Sequence, residues 1–463
     1  MKNKLRLIVK LLLAVLILVS CNLPQAGGDG NLTVVLPGGD RNARSILSDT
    51  FTPTLRYVVT LTGPGDAIER EAAGGSVTLS VPAGTWTVTV NAYDGGTLVG
   101  TGTAVTTVVP GQPASVSIKM TVDSAYALSQ TLFYIHNEAD LRQYLSSYAG
   151  LGNALLENDI TVNGAPAGDL AAGATLDGQG RTITLAINAD DGFGNAGLLG
   201  VNNGTVKNLR LEGTVSVTYN TSVTISVGAA AGRNTGIIRN VSSRAAVTGI
   251  AAVSPGAMYT GGIAGYNRLT AAIIEDCSSG GAITGNSIGM APMVGGITGY
   301  NDGSTINRCY AWGGVSADLP NASTGGIAGY TNSSGTITNC AALHSKIDNG
   351  GDIPFNPLGR IANGSFGIGT TNNYAYADMA VGYSGVAAPG VIGDNNGADI
   401  TAALTSPGSS SWWTGTLNWS VALSKAAASE TSPWYWSKTI AIEENPVNLG
   451  PVGPVYVPAL WFE

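Results

Sequence analysis

A glycine-rich phrase returns along this chain about every thirty residues, and it limits the possible folds more than any other feature. It reads Asn195-Ala-Gly-Leu-Leu-Gly-Val-Asn202, then Val227-Gly-Ala-Ala-Ala-Gly-Arg-Asn234 and Thr260-Gly-Gly-Ile-Ala-Gly-Tyr-Asn267. It returns as Val294-Gly-Gly-Ile-Thr-Gly-Tyr-Asn301 and Thr324-Gly-Gly-Ile-Ala-Gly-Tyr-Thr331. The last glycines, Gly200, Gly232, Gly265, Gly299 and Gly329, advance in steps of 32, 33, 34 and 30 residues. A period of this size marks stacked supersecondary units, each too small to bury an apolar face alone.

A second phrase follows the first in each repeat: Val206-Lys-Asn-Leu209, Ile238-Arg-Asn-Val241, Ile274-Glu-Asp-Cys277, Ile306-Asn-Arg-Cys309 and Ile337-Thr-Asn-Cys340. A third strand comes after it, as in Ala246-Val247-Thr248. The pattern predicts three short strands and three turns per coil. Apolar partners such as Ile306 and Cys309 are three positions apart, which a flat strand cannot place on one face. A bend must separate them, and Asn208, Asn240 and Asn339 occupy it, because Asn tolerates the left-handed conformation. A second column, Asn202, Asn234, Asn267 and Asn301, precedes the next turn. Both columns are expected to be turn ladders, with side-chain amides bonded from coil to coil. Cys277, Cys309 and Cys340 repeat at one core position. Neighbours in such a column point the same way, a poor geometry for a disulfide, so three buried free thiols are expected.

Around this array, Asn137-Glu-Ala-Asp-Leu-Arg-Gln-Tyr-Leu145 reads as an amphipathic helix capped by Asn137 and placed to shield an open sheet edge. Residues 154–185 resemble the opening coils of right-handed parallel β-helices. The phrases together resemble the GLUG-motif repeats of bacterial surface and secreted proteins, over residues 154 to about 376. That resemblance implies a surface location and interaction roles, with no catalytic residues to carry over.

The expected fold is all-β. Residues 1–20 are a signal peptide, 21–30 a tether, and 31–123 an immunoglobulin-like or prealbumin-like β-sandwich spacer. Residues 124–383 form a right-handed parallel β-helix, and 384–463 a C-terminal cap. The sandwich rests on alternating strands such as Val77–Val81 and Trp86–Ala92 between Pro/Gly turns. The cap rests on Trp412, Trp413, Trp419, Trp434, Trp436 and Trp461, which are six of the eight tryptophans. Large aromatics suit the cover that a solenoid end requires; a sugar-stacking platform is the alternative.

The N-terminus sets the expected compartment. Lys2, Lys4, Arg6 and Lys10 precede an apolar run, Leu11–Val19, too short for the roughly 20 residues of a membrane span, so it reads as an export signal. Leu18-Val19-Ser20-Cys21 resembles the lipobox of bacterial lipoproteins, which implies lipid on Cys21 and membrane attachment. Asn22, in place of a retaining aspartate, favours the outer membrane by the same resemblance.

Beyond residue 20 the chain holds 18 of its 22 basic residues and all 30 acidic ones, a net −12. No basic stripe exists for nucleic acid. His136 and His344 lie far apart, and no cofactor fingerprint or metal-ligand spacing is present. Asp190-Asp191 and the Asp394–Asp399 stretch have the chemistry for calcium but not the spacing of its known loops. The leading expectation is a non-enzymatic, lipid-anchored protein of the outer membrane or cell surface, its β-helix displayed for adhesion or envelope contacts with a protein or glycan. A polysaccharide lyase or hydrolase on the same scaffold is the alternative. So is a carbohydrate-binding module using Tyr266, Tyr300 and Tyr330, which fall in one register and are otherwise read as half-buried packing.

Overall fold

The computed structural model describes residues 28–36, 55–72, 75–94, 96–122, 132–147, 152–190, 194–220, 223–253, 256–319, 321–350, 358–364, 371–377, 379–381, 396–400, 410–440 and 455–463. They belong to two compact units that divide between Ser129 and Gln130. Cys21 and the export segment lie outside the described residues.

The first unit is a β-sandwich of a three-stranded and a five-stranded sheet. Alternation sorts its side chains: in Arg56–Thr62, Tyr57, Val59 and Leu61 are buried and their neighbours are not. Trp86 is fully buried and its indole N–H donates to the Pro82 carbonyl at 2.9 Å, so the ring enters the core with its polar atom satisfied. The strand Ile68–Ala72 has no apolar alternation to announce it; it is an edge strand with Glu69, Arg70 and Glu71 at its centre. Charges on an edge oppose pairing with another chain.

The second unit opens with the strand Leu132–Ile135 and the helix Glu138–Ser147. Asn137 caps the helix by accepting the Asp140 N–H at 3.0 Å, while the Asp140 carboxylate accepts the His136 N–H at 3.2 Å. Leu141, Tyr144 and Leu145 are buried against the first coil. Arg142 donates to the carbonyls of Asn163, Ala165 and Pro166, satisfying backbone oxygens at the start of the stack.

The coils then stack as a parallel β-helix in which each strand pairs with its equivalent one repeat later. Val206, Ile238, Ile274, Ile306 and Ile337 form one continuous buried column. A complete coil carries five short strands, not three: Ala257–Gly261, Ala264–Arg268, Ile273–Glu275, Ser278–Ser279 and Ile283–Ser287. Two bends account for the difference. The glycine phrase is itself a corner, so its two halves enter a six-stranded and a seven-stranded sheet. The second phrase breaks at a left-handed residue, with φ between 48° and 59° at Asn208, Asn240, Asp276, Arg308, Asn339 and Asn372.

The Trp-rich C-terminal cap packs on the last coils, where the Trp412 ring meets Tyr374 at 5.3 Å. It does not stop there. Its strands Val421–Ala422, Trp434–Ile440 and Val455–Leu460 form a small sheet that runs back along the column of left-handed bends. Trp419 donates to the Asn339 carbonyl at 2.8 Å and Trp434 to the Asp276 carboxylate at 2.8 Å. Glu430 takes Lys207 at 2.6 Å, and Phe462 lies under Arg210 near the first coils. The segment therefore runs along this flank of the stack from the last coils back toward the first.

Candidate binding seam

The opposite flank carries the seam where the two glycine-phrase sheets meet. Close backbone approach builds it. A Cβ on Gly265 would fall 2.3 Å from the Val227 nitrogen, and one on Gly299 2.4 Å from the Thr260 nitrogen. Only glycine lets each strand lie against the strand of the preceding coil.

Tyrosines fill the middle of this seam. Tyr266, Tyr300 and Tyr330 are register neighbours in the seven-stranded sheet. The Tyr266 and Tyr300 rings stack at 5.3 Å with 12° between planes, and Tyr330 turns edge-on to Tyr300 at 5.4 Å. Tyr259, from the other sheet, sits 4.8 Å from Tyr266 and 5.3 Å from Tyr300. All four rings are half-buried. Each such pair contributes about 1 kcal/mol beyond its buried area. Stacking also uses up the inner ring faces, so the row offers edges, hydroxyls and its terminal faces rather than a flat platform.

Polar groups fix the Tyr266 hydroxyl. Tyr266 donates to the Asp302 carboxylate at 2.5 Å, Asn332 donates to the other oxygen of Asp302 at 2.5 Å, and the Arg268 guanidinium lies 3.8 Å from that carboxylate. Burial, the Asp302 bond and its charge push the Tyr266 hydroxyl well above the ordinary tyrosine range. Burial raises Tyr259 and Tyr300 as well. These groups stay protonated and act as hydrogen-bond donors.

Toward the first coil the same line changes character. Tyr266 is preceded in register by Arg233, and Arg233 by Val201. Tyr259 is preceded by Ser226, and Ser226 by Asn195. Here a cavity of about 350 Å³ opens, lined by Pro166, Gly168, Asp169, Asn195, Gly200 and Val201 among others. The Asp169 carboxylate accepts the Val201 N–H at 2.8 Å. A Cβ on Gly200 would meet that carboxylate at 2.7 Å, not the backbone of a preceding coil, so the seam ends here in a polar wall. The Arg233 Nε is buried and makes no hydrogen bond.

The other sequence-derived positions have packing partners. Asn202, Asn234, Asn267 and Asn301 are fully buried and bond in series at 2.7, 2.8 and 2.9 Å. Asn208 and Asn240 bond at 2.9 Å, and Asn339 donates to Asn307 at 3.0 Å, all on the flank under the C-terminal segment. Cys277, Cys309 and Cys340 are free and buried, each thiol facing the carbonyl two residues back. Burial pushes the Cys277 and Cys340 thiols well up. Asp399 is engaged by the buried Arg360 at 2.7 Å, while Asp191 and Asp394 lie outside the described residues. His344 is buried with its Nε2 2.8 Å from the Gly326 carbonyl oxygen, and burial lowers its pKa. A second cavity, about 320 Å³, lies between the C-terminal segment and the coils, with Arg210, Arg244, Glu212 and Glu463 in its lining.

Sequence reading found the tyrosine column but missed Tyr259, Arg233 and Asp169. Tyr259 stands in a column of Ser226, Met293 and Ser323, which has no repeating chemistry to notice. Arg233 occupies the tyrosine position of a weaker repeat, where it reads as decay of the motif. Among the described residues no group of three or more His, Cys, Asp and Glu is placed to hold a metal ion, and no helix is long and apolar enough to cross a membrane. No family model, curated protein or solved structure matches the chain.

Proposed function

We propose that this chain is a lipid-anchored protein of the bacterial outer membrane or cell surface, of the GLUG-motif repeat kind, that uses its β-helix for adhesion or envelope contacts. Cys21 carries the anchor in this reading, supported by the basic and apolar segments before it. The observation that carries the binding role is the unequal finish of the two flanks. The C-terminal segment lies over the bend flank, whereas the tyrosines of the seam are only half-buried among the described residues. A half-exposed aromatic row with fixed polar edges is the composition that recognition surfaces favour.

The test has two arms. Cys21→Ala should move the protein out of the membrane fraction or leave its precursor unprocessed. In the anchored protein, Tyr266→Ala with Tyr300→Ala should abolish cell attachment to the host or envelope surface while fold and export persist. Unchanged attachment by a folded double variant would remove the seam from the binding role.

A further inference from the structure

We infer that the seam holds the end of a neutral, hydroxyl-rich glycan, seated in the Asp169–Asn195 cavity and running past Arg233 toward Tyr266. This inference rests on the binding role proposed for the seam.

Three chemistries follow one another along a single line. The cavity supplies a carboxylate and an amide, Arg233 comes next, and the tyrosine rings follow. Asp169 uses one oxygen on the Val201 N–H, and its other oxygen has no hydrogen bond among the described residues. Arg233 has no ion pair among the described residues. Carboxylate, amide and guanidinium are planar groups that accept or donate hydrogen bonds in pairs. Adjacent hydroxyls on a sugar ring match that geometry. Pro166 and Val201, both buried, border the cavity beside them.

The chain's charge selects a neutral ligand. A net −12 beyond residue 20, with the exposed Asp169 carboxylate lining the cavity, repels a polyanion. The polar wall at Asp169 selects an end. In later coils the preceding strand lies behind the seam glycine, but behind Gly200 stands the Asp169 side chain. A glycan entering along the seam therefore stops at this point. From Asp169 to Tyr266 the line crosses three coil steps, roughly 14 Å at the usual strand spacing, enough for a short run of sugar units.

Calorimetric titration of the full-length protein in detergent, with neutral hexose oligosaccharides of increasing length and with polygalacturonate fragments, tests the inference. Neutral chains should bind, with affinity rising with length and then levelling. Asp169→Asn and Arg233→Gln should each weaken binding about tenfold with unchanged unfolding midpoints, the loss expected for one polar contact to a charged group. Preferred binding of the acidic fragments, or no effect of either substitution, overturns the inference. If no glycan binds yet Tyr266→Ala with Tyr300→Ala still abolishes attachment, the glycan inference fails and the binding role stands. If attachment also survives the tyrosine substitutions, both fail.

Discussion

On one flank of the β-helix, Asn208, Asn240 and Asn339 turn the chain at left-handed bends, and the C-terminal segment lies against this column, Asn240 donating to the Glu430 carbonyl and Trp419 donating to that of Asn339. On the other flank, Tyr266, Tyr300 and Tyr330 also repeat coil by coil, yet they are only half-buried among the described residues. Both flanks are ladders in a stack with one residue per coil. The bend flank includes an ion cluster, Arg308 with Asp276 at 2.6 Å and Glu275 at 3.2 Å, and Trp434 closes it by donating to Asp276. The seam flank closes itself with glycine and stacks its own aromatics. Repetition alone thus does not say whether a ladder is core or surface; what packs against it does.

The largest way to break this contrast is on the covered side. Trp434→Ala removes a fully buried indole and one partner of Asp276, and should cost about 3–5 kcal/mol. Urea unfolding measures it. A loss no larger than that of Trp412→Ala, whose ring is only partly buried, would mean that the segment does not hold the flank.

The next effect separates glycines within one coil. Gly299→Ala places a methyl against the Thr260 nitrogen and should cost about 1–3 kcal/mol. Gly314→Ala meets nothing within 4 Å and should stay within about 0.5 kcal/mol of wild type. Equal midpoints for the two variants would deny the close approach on which the seam depends.

These glycines show how much the sequence discloses. The period gave the solenoid, because an apolar column such as Val206–Ile337 must repeat for coils to share a core. The three-residue gap between Ile306 and Cys309 gave the bend, because strand geometry forbids the alternative. The corner inside the glycine phrase was not legible. Its cause is contact between Gly265 and a strand nearly forty residues earlier, and no local pattern encodes that. The path of the tryptophan segment was hidden for the same reason. Covering an end and covering a flank demand the same composition. The cavity escaped because Asp169 precedes the first glycine phrase that shares its seam.

Tyr300→Ala sharpens the open side. It removes three ring contacts at a half-buried position and should cost about 1.5–3 kcal/mol by denaturation, while removing binding. Tyr300→Phe keeps the stack and should leave stability nearly unchanged. A stability loss in Tyr300→Ala as large as that of Trp434→Ala would mark the row as core.

The smallest effect concerns the helix that opens the stack. Burial by itself raises the Glu138 carboxyl, but hydrogen bonds from Asn163 and the Arg142 guanidinium outweigh it and hold the group below the ordinary glutamate value. A depressed carboxyl stabilises the fold above its unfolded pKa, and that contribution disappears as pH falls through the folded value. Thermal unfolding of wild type against Glu138→Gln should differ at neutral pH by under about 1 kcal/mol and converge well below pH 4.5. A gap that widens on acidification would reverse the assignment.

Hydroxyl-radical footprinting of the native protein, read by mass spectrometry, compares the two flanks in one sample. Tyr266, Tyr300 and Tyr330 should oxidise readily, while Tyr310, Trp413 and Trp434, all fully buried, should stay protected until unfolding. Equal protection of the two sets, or oxidation of Trp434 ahead of Tyr300, would contradict an open tyrosine seam opposite a covered bend flank.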